Sequence, residues 1–216
     1  MVARGSTSRR TDRLSRLLSE IRSCRICIDN PKGTALPHEP RPVLQAQRSA
    51  RLAVFGQAPG LRVHKTGKPF TDPSGVRLRE WMGVGEDEFY DPALLAIVPM
   101  GFCFPGYDKK GGDLPPRLEC AQAWRVRVLQ ALPDLELALL IGQYAQAWHL
   151  GSDKKRTLTQ TVEAWREVLA RDTRPRLLPL PHPSWRNNAW IAKNPWFEAE
   201  LLPELKIMVR SALNRP

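Results

Sequence analysis

Two short polar segments stand out because their residue types and spacing could do chemistry. The first is GQAPG, residues 56–60, in which Gly56 and Gly60 permit close backbone approaches and Pro59 stiffens the turn between them. Such a turn can offer backbone amides and one side chain, Gln57, to a ligand. A purely structural turn is the alternative that this segment alone leaves open.

The second segment is HPSWRNN, residues 182–188. His182 lies between two prolines that restrict the backbone, and a histidine can donate a hydrogen bond to an oxygen that gains negative charge during a reaction. Ser184, Arg186 and Asn187 could contact phosphates, and Trp185 could stack on a base. Taken singly, His182 could be an ordinary loop histidine and Trp185 a core residue.

The four cysteines form a third candidate site. Cys24 and Cys27 have C-x2-C spacing, Cys103 follows an apolar run, and Cys120 begins a segment compatible with a helix. A C-x2-C pair alone is ambiguous among zinc, redox and iron-sulfur roles, and four thiols suit either a cluster or a structural zinc. The N-terminus lacks the apolar stretch of a signal peptide, so we expect a cytoplasmic protein in which disulfides rarely form.

These segments need elements to position them, and four apolar runs provide the expected strands. The runs cover residues 52–56, 94–100, 135–142 and 176–181. Continuous apolar character indicates strands covered on both faces, hence a mainly parallel sheet. Segments compatible with helices alternate with the runs, so we predict an α/β fold, a three-layer α/β/α sandwich with a mainly parallel four-stranded sheet. The predicted helices cover residues 12–23, 76–82, 120–132, 144–150, 159–169 and 195–213.

The two polar segments both fall at the carboxyl end of a predicted strand, where open parallel sheets carry their functional residues. Residues 1–10 are polar and basic, which predicts a disordered basic tail, and residues 11–216 have the length of a single domain. We expect a monomer, because nothing in the sequence resembles a dedicated oligomer interface.

The balance of charge points to an anionic partner. The chain has 33 Lys and Arg against 22 Asp and Glu, a formal net charge of +11 at pH 7. Such a balance suits nucleic acid or an anionic membrane surface, although a merely soluble basic protein would share it. No run of 18 apolar residues is present, which argues against a membrane-spanning helix.

The polar segments, in their order and spacing, resemble the signatures of the uracil-DNA glycosylase superfamily. GQAPG followed by KTGKPFTDPSG resembles its first signature, and HPSWRNN resembles its His-Pro-Ser loop. The segments LLAIVPMGFCFPG and LALLIGQYA and the early cysteine pair extend the resemblance over residues 14–213, and the iron-sulfur branch called family 4 is the most similar. The resemblance implies hydrolysis of the bond between deoxyribose and uracil in single- or double-stranded DNA, after the base leaves the stack.

The resemblance also implies roles for individual residues. His182 falls on the family's histidine and would hydrogen-bond the leaving base, while Phe70 would stack on the flipped ring. The backbone amides around Gln57 and Ala58 would bind the base's other oxygen. The four cysteines fall on the spacing that holds a four-iron, four-sulfur cluster in that branch, with structural zinc as the alternative. Contacts with DNA are expected from Ser184, Trp185, Arg186, Lys109 and Lys110.

One departure from the family pattern concerns water. The most similar branch usually carries an acid where Gln57 stands, and a glutamine cannot act as a general base at neutral pH, although its carbonyl can hold a water. Asp72 or His64 could compensate. Asp72 could instead cap the helix expected to begin near Ser74.

A second departure concerns recognition of the base. Pro99 stands where the family commonly places an asparagine that reads the uracil edge. Reading would then fall to backbone atoms near Met100 and Gly101, or to Asn187. Hypoxanthine or another deaminated base is therefore an alternative substrate, and a catalytically weak protein that binds uracil-containing or abasic DNA is an alternative function.

Overall fold

The computed structural model describes residues 5–214, and the side chains of residues 13–214. Its sheet consists of four strands that all fall within the apolar runs predicted as strands. In spatial order the second strand of the chain neighbours the first, followed by the third and fourth, and every neighbouring pair is parallel. The predicted α/β class is therefore confirmed. The strands are β1 (Leu52–Phe55), β2 (Leu95–Ile97), β3 (Leu137–Ile141) and β4 (Arg176–Leu180).

Helices connect the strands and cover both faces of the sheet. Those before β2 are α1 (Gly5–Arg22), α2 (Ile26–Asp29), α3 (Leu61–Thr66), α4 (Pro73–Met82) and α5 (Glu86–Tyr90). Those before β4 are α6 (Leu118–Cys120), α7 (Val126–Gln130), α8 (Gln143–Leu150), α9 (Leu158–Glu163) and α10 (Trp165–Leu169). The last are α11 (Asn188–Lys193) and α12 (Leu202–Leu213), and π-helical turns at Ala121–Arg125 and Phe197–Leu201 lead into α7 and α12.

The core consists of two apolar layers because successive strand residues point to opposite faces. On one face Ala53 and Phe55 of β1 pack with residues of α1, α7 and α8. On the other face Leu52 and Val54 pack with residues of α4, α10 and α12. Covering on both faces explains why the strands are apolar throughout rather than alternating, as parallel sheets require.

Several helices differ from the sequence prediction. The predicted helix over residues 159–169 is divided at Ala164 into α9 and α10. The short helices α3, α5 and α11 were not predicted, because helices of five or six residues depend on tertiary packing rather than on a readable period.

The N-terminal helix begins earlier than expected. α1 starts at Gly5, so it covers residues 5–10 of the segment expected to form a disordered tail, while residues 1–4 lie outside the described residues. Leu14, Leu17 and Ile21 of α1 are buried in the core, which anchors the helix. None of the helices in the described part of the chain is long and apolar enough to cross a membrane.

Candidate active site

The turn after β1 joins the ends of two neighbouring strands. The carbonyl oxygens of Gly56 and Gln57 accept hydrogen bonds from the backbone N–H groups of Met100 and Gly101, each at 2.9 Å. These bonds occupy the amide hydrogens of Met100 and Gly101, two groups considered above for reading the base. Among residues 99–101, Pro99 lines the adjacent cavity.

That cavity opens beyond the carboxyl ends of β1, β2 and β4, the edge at which parallel sheets bind ligands. Part of its wall is apolar and part is polar. The apolar part includes Val43, Phe70 and Pro99, and the polar side chains are Gln57, Asp72, Asp113 and His182. The structure thus brings together Gln57, Phe70, Asp72 and His182, which sequence reasoning selected from separate segments.

The Gln57 side chain lies against the turn that follows β3. Gly142 in that turn has a φ of 79°, and a β-carbon placed on it would lie 2.5 Å from Gln57 Nε2. Glycine therefore provides both the left-handed backbone and the room for the amide group. In the sheet order β2-β1-β3-β4, the chain forms β2 on one side of β1 and then crosses over to form β3 on the other side. Gln57 lies just after β1, at the point where this strand order changes direction, and open parallel sheets bind ligands at such points.

Phe70 lies beside the turn after β1 and has an unusual backbone. Its φ of 53° is the one positive value at a non-glycine position in the described part of the chain. The Tyr90 hydroxyl donates a hydrogen bond to the Phe70 carbonyl at 3.1 Å, and a β-carbon on Gly75 would lie 1.8 Å from the same oxygen. Strained residues held in this way are concentrated at ligand sites, so the aromatic ring is a candidate platform for a base.

His182 lines the cavity from the loop after β4. Burial lowers the pKa of its imidazole, nearby Asp72 raises it, and Arg186 lowers it further. The net lowering keeps the ring neutral at pH 7, so one ring nitrogen is a donor and the other an acceptor. Asn187 Nδ2 donates a hydrogen bond to the backbone oxygen of His182 at 2.7 Å, so Asn187 holds the loop that carries the ring.

The rest of this loop is held by an arginine of α4. Arg77 Nη1 donates to the Ser184 carbonyl at 3.2 Å and to Asn188 Oδ1 at 2.8 Å. The Ser184 hydroxyl accepts a hydrogen bond from the backbone N–H of Arg186 at 3.2 Å, so it stabilises the turn. Trp185 is 69% exposed, and the Arg186 guanidinium lies 5.8 Å from its ring centroid. An exposed tryptophan next to an arginine suits stacking on a nucleotide.

An open groove leads from the cavity between the loop after β4 and residues 105–115. Sequence reasoning selected Trp185 and Arg186 but missed the other large side chains of the groove. Lys109 and Lys110 are exposed and directly precede two glycines that line it. The cationic and aromatic lining consists of Arg62, Arg77, Tyr107, Trp185 and Arg186.

Asp72 lines both the cavity and the groove, and it also caps α4. Its Oδ1 accepts a hydrogen bond from the backbone N–H of Gly75 at 3.2 Å, with Pro73 in the first turn of the helix. This is the geometry of an N-cap. Both interpretations of Asp72 considered above are therefore compatible with its position.

His64 lies in a different environment. It is on α3, where its ring centroid is 4.3 Å from that of His38 and 6.2 Å from that of Phe104. Its Nδ1 is buried without a hydrogen-bond partner among the described residues, and burial lowers its pKa. His64 is not among the residues that line the cavity.

The four cysteines line one small apolar cavity that shares no lining residue with the cavity at the strand ends. Trp124 Nε1 donates a hydrogen bond to Cys24 Sγ at 3.2 Å, and the backbone N–H of Phe102 donates to Cys120 Sγ at 3.3 Å. Hydrogen bonds to sulfur are among the means by which proteins tune metal-bound thiolates. Bringing all four thiols to one cavity requires α2, the segment after β2 and α6 to pack together.

The thiols are buried enough to change their acidity. Burial raises the pKa of Cys27 to about 11 and that of Cys103 to about 12. These thiols therefore keep their protons at neutral pH unless a cation displaces them. No three metal-binding side chains among the described residues are arranged to hold a single ion.

Asp113 is the polar residue of the cavity that sequence reasoning missed. It belongs to the loop of residues 105–115, and its Oδ2 would lie 3.7 Å from a β-carbon on Gly60. No motif marks it, since the loop was selected only because Lys109 and Lys110 could meet phosphate. Its approach to the turn after β1 is a property of the folded loop.

Residues 44–206 match a family model described as the uracil DNA glycosylase superfamily. The match spans more than half of the chain and includes all four strands, the turn after β1 and the loop after β4. It begins after Cys24 and Cys27 and includes Cys103 and Cys120.

Proposed function

The chain belongs to the uracil DNA glycosylase superfamily, a family of DNA glycosylases, and we propose that it removes uracil from DNA. The observation that carries this proposal is the cavity at the strand ends, which is lined by both Phe70 and His182. One provides an aromatic face for a base, and the other provides a hydrogen-bond donor for its oxygen.

The proposed reaction begins when the nucleotide is flipped out of the stack into the cavity, because its glycosidic bond is out of reach inside the duplex. The ring stacks on Phe70. As the bond between C1′ and the base breaks, negative charge develops on the pyrimidine oxygens. The neutral imidazole of His182 donates a hydrogen bond to that charge.

Gln57 and Asp72 are the proposed groups near the attacking water. The Gln57 amide oxygen can accept a hydrogen bond from water but cannot remove its proton. The Asp72 carboxylate lines the same cavity and can affect the water, or His182, through its charge. We give His64 no part in this reaction because its ring packs against His38 and Phe104.

We propose that DNA follows the groove beside the cavity. Arg62, Arg77 and Arg186 present positive charge there, and Trp185 presents an exposed ring. Ser184, Lys109 and Lys110 lie on the two loops that border the groove. Contacts of this kind bind the phosphate backbone without reading sequence, so affinity should fall as salt rises.

Two observations favour the alternative substrate and the alternative function. Pro99 lines the cavity without offering an amide side chain, which favours a less selective base pocket and keeps hypoxanthine as an alternative substrate. Gln57 in place of an acid favours weak catalysis, hence a protein that binds uracil-containing or abasic DNA. The Asn187 side-chain amide donates a hydrogen bond to the backbone oxygen of His182, so Asn187 supports the loop that carries this histidine.

A single-turnover assay tests the proposal. The protein in excess is incubated with single- and double-stranded oligonucleotides that carry one uracil, one hypoxanthine or no lesion, and abasic sites are revealed by alkaline cleavage. We expect cleavage at uracil. Absence of abasic product from every substrate, with tight binding to uracil-containing DNA in a gel-shift experiment, would favour the binding protein instead.

We further propose that Cys24, Cys27, Cys103 and Cys120 hold a four-iron, four-sulfur cluster. Such a cluster would be held by four cysteine thiolates. Four thiols around one cavity would supply these ligands, and a structural zinc with four cysteine ligands is the alternative. When bound, the group would hold the N-terminal segment and the loop after β2 to the body of the protein.

Metal analysis of the protein purified without oxygen tests this assignment. We expect iron and acid-labile sulfide in equal amounts and a brown colour. A colourless protein that contains one zinc per chain would contradict it. Serine is similar in size to cysteine but removes the thiolate ligand, so a Cys103→Ser variant should lose most of the iron.

A further inference from the structure

We propose that the Asp113 carboxylate accepts a proton from the attacking water, in place of the acid that is missing at position 57. This inference rests on the proposed function, because it assigns a role within the same excision reaction. It differs from the sequence-based candidates, because Asp113 belongs to a loop that no catalytic motif marks.

Asp113 lies within the candidate active site. It lines the cavity together with Gln57, Phe70 and His182. Its Oδ2 approaches the turn after β1 so closely that a β-carbon on Gly60 would lie 3.7 Å away. The carboxylate therefore reaches the turn that carries Gln57.

The loop that carries Asp113 is held by its own backbone contacts. Tyr107 and Asp113 pair as an antiparallel bridge that closes the loop. Inside it, Asp108 Oδ1 accepts hydrogen bonds from the backbone N–H groups of Lys110 and Gly112 at 2.8 and 2.9 Å. A catalytic group must be held in place by its surroundings, and this loop holds the backbone of Asp113 without using its side chain.

The Asp113 carboxylate is free of hydrogen bonds and ion pairs with the rest of the described chain. Among the described residues it accepts no hydrogen bond and forms no ion pair, whereas Asp72 accepts one from Gly75 and Asp108 accepts two within the loop. A general base needs a free lone pair directed at the proton it removes. Asp113 meets that requirement better than the capping Asp72.

The electrostatic surroundings agree with this assignment. Burial raises the pKa of Asp113 above its ordinary value, the negative charge of Asp72 raises it further, and Arg186 lowers it. A raised pKa makes a carboxylate a stronger base. The titratable and charged groups that line the cavity or the groove with Asp113 are Arg62 on α3, Asp72 and Arg77 at α4, His182 and Arg186 on the loop after β4, and Tyr107 on its own loop.

The step balances without a co-reactant. The water oxygen forms a bond to C1′ as the bond from C1′ to the base breaks, and the electron pair of that bond leaves with the base. One water proton passes to the Asp113 carboxylate. His182 holds the departing anion by a hydrogen bond. The base takes a proton from solvent when it is released, and Asp113 returns its proton to solvent.

Single-turnover excision by Asp113→Asn tests the proposal, with Asp134→Asn as the control. Both variants remove one negative charge and keep the shape of the side chain, but Asp134 lies before β3 at the opposite end of the sheet. Loss of a general base slows reactions about 100- to 10,000-fold, so we expect a loss in that range for Asp113→Asn and none for Asp134→Asn. The Kd for uracil-containing DNA should be unchanged or lower for Asp113→Asn. We expect the wild-type rate to decline toward acid pH as Asp113 is protonated, and the variant should lose this decline.

The outcomes separate this inference from the function on which it rests. An active wild type with an equally active Asp113→Asn variant, or with an unchanged pH profile in that variant, would overturn the role of Asp113 and leave the glycosylase intact. A wild type that excises no base from any substrate would overturn the proposed function and this inference with it. A slow Asp113→Asn variant that also fails to bind DNA would show a structural role and likewise overturn the inference.

Discussion

Gln57 of GQAPG and His182 of HPSWRNN, which both line the cavity, are neutral at pH 7. Burial keeps the pKa of His182 below its ordinary value, and an amide does not titrate. A neutral imidazole keeps one N–H group, which can donate a hydrogen bond to a developing anion. At the residue scale the site is therefore suited to stabilising a leaving group, while the removal of a proton from water must come from a carboxylate.

Replacing His182 with alanine should slow excision by about 100-fold or more, because one donor to a developing oxyanion lowers the barrier by about 3 kcal/mol. Single-turnover rates on a uracil oligonucleotide measure the effect. His38→Ala is a matched control, since that histidine packs against Phe104 outside the cavity, and it should keep the wild-type rate. A wild-type rate for His182→Ala would contradict the assignment.

Gly142→Ala should displace the Gln57 amide, because the new β-carbon would lie 2.5 Å from Nε2. Gly151→Ala is the control, since Gly151 also has a positive φ, of 55°, but no atom lies within 4 Å of the added carbon. Backbone strain should lower the free energy of unfolding of both variants by about 1–3 kcal/mol. Only Gly142→Ala should also lose excision rate below its unfolding temperature, and equal rates for the two variants would argue against a positioned Gln57.

Among the elements, α4 connects most parts of the site. Its N-terminus is capped by Asp72, its first turn approaches the Phe70 carbonyl through Gly75, and its Arg77 holds the loop that carries Ser184. The three contacts place the base platform and the His182 loop relative to one rigid helix. Movement of α4 would therefore disturb both walls of the cavity together.

Asp72→Ala should lower the free energy of unfolding by about 1 kcal/mol through loss of the cap, whereas Asp72→Asn should keep it, since asparagine caps as well as aspartate. Urea unfolding of the two variants measures the difference. Excision by the stable Asp72→Asn variant then isolates the charge. A loss of about 100-fold or more in Asp72→Asn, together with a wild-type rate in Asp113→Asn, would assign the proton transfer to Asp72.

At the scale of the whole molecule, the buried cation of Arg125 joins the end of β2 to His149 on α8. Arg125 is 1% exposed, and its Nη1 donates to the carbonyl oxygens of Val98 and Pro99 at 3.3 Å, directly after β2. Its Nε donates to His149 Nε2 at 3.2 Å. Burial and then Arg125 lower the pKa of His149 to about 3. The end of β2, and with it Pro99, depends on this histidine staying neutral.

Stability should therefore fall on acidification. The unfolded chain protonates His149 near its ordinary pKa of about 6.5, while the folded protein resists until about 3, so the unfolded state binds more protons between these values. This one group then removes up to about 1.4 kcal/mol of unfolding free energy per pH unit. His149→Gln keeps an acceptor for Arg125 and does not titrate.

Urea unfolding of the wild type and of His149→Gln, measured from pH 7 to pH 4, tests this expectation. Carboxylates titrate in both proteins, so the difference between the two curves isolates His149. We expect a shallower decline for the variant, and parallel curves would contradict the role given to His149.

The fold class could be predicted from the sequence because covered parallel strands must be apolar along their whole length, and all four such runs are strands. Gln57, Phe70 and His182 could be selected because each belongs to a contiguous segment with a recognisable pattern. The short helices α3, α5 and α11 could not, since packing rather than periodicity stabilises them.

Which of these residues meet was decided by the tertiary structure. Gly142 makes room for Gln57, His64 packs against His38 instead of lining the cavity, and Asp113 reaches Gly60 from a loop selected only for its lysines. These relations join residues far apart in the chain, and their distances depend on how loops pack across the sheet edge. Sequence by itself determined the types of groups at the strand ends, because local patterns and motifs lie within short segments. The folded chain alone determined which carboxylate lies free beside the turn after β1.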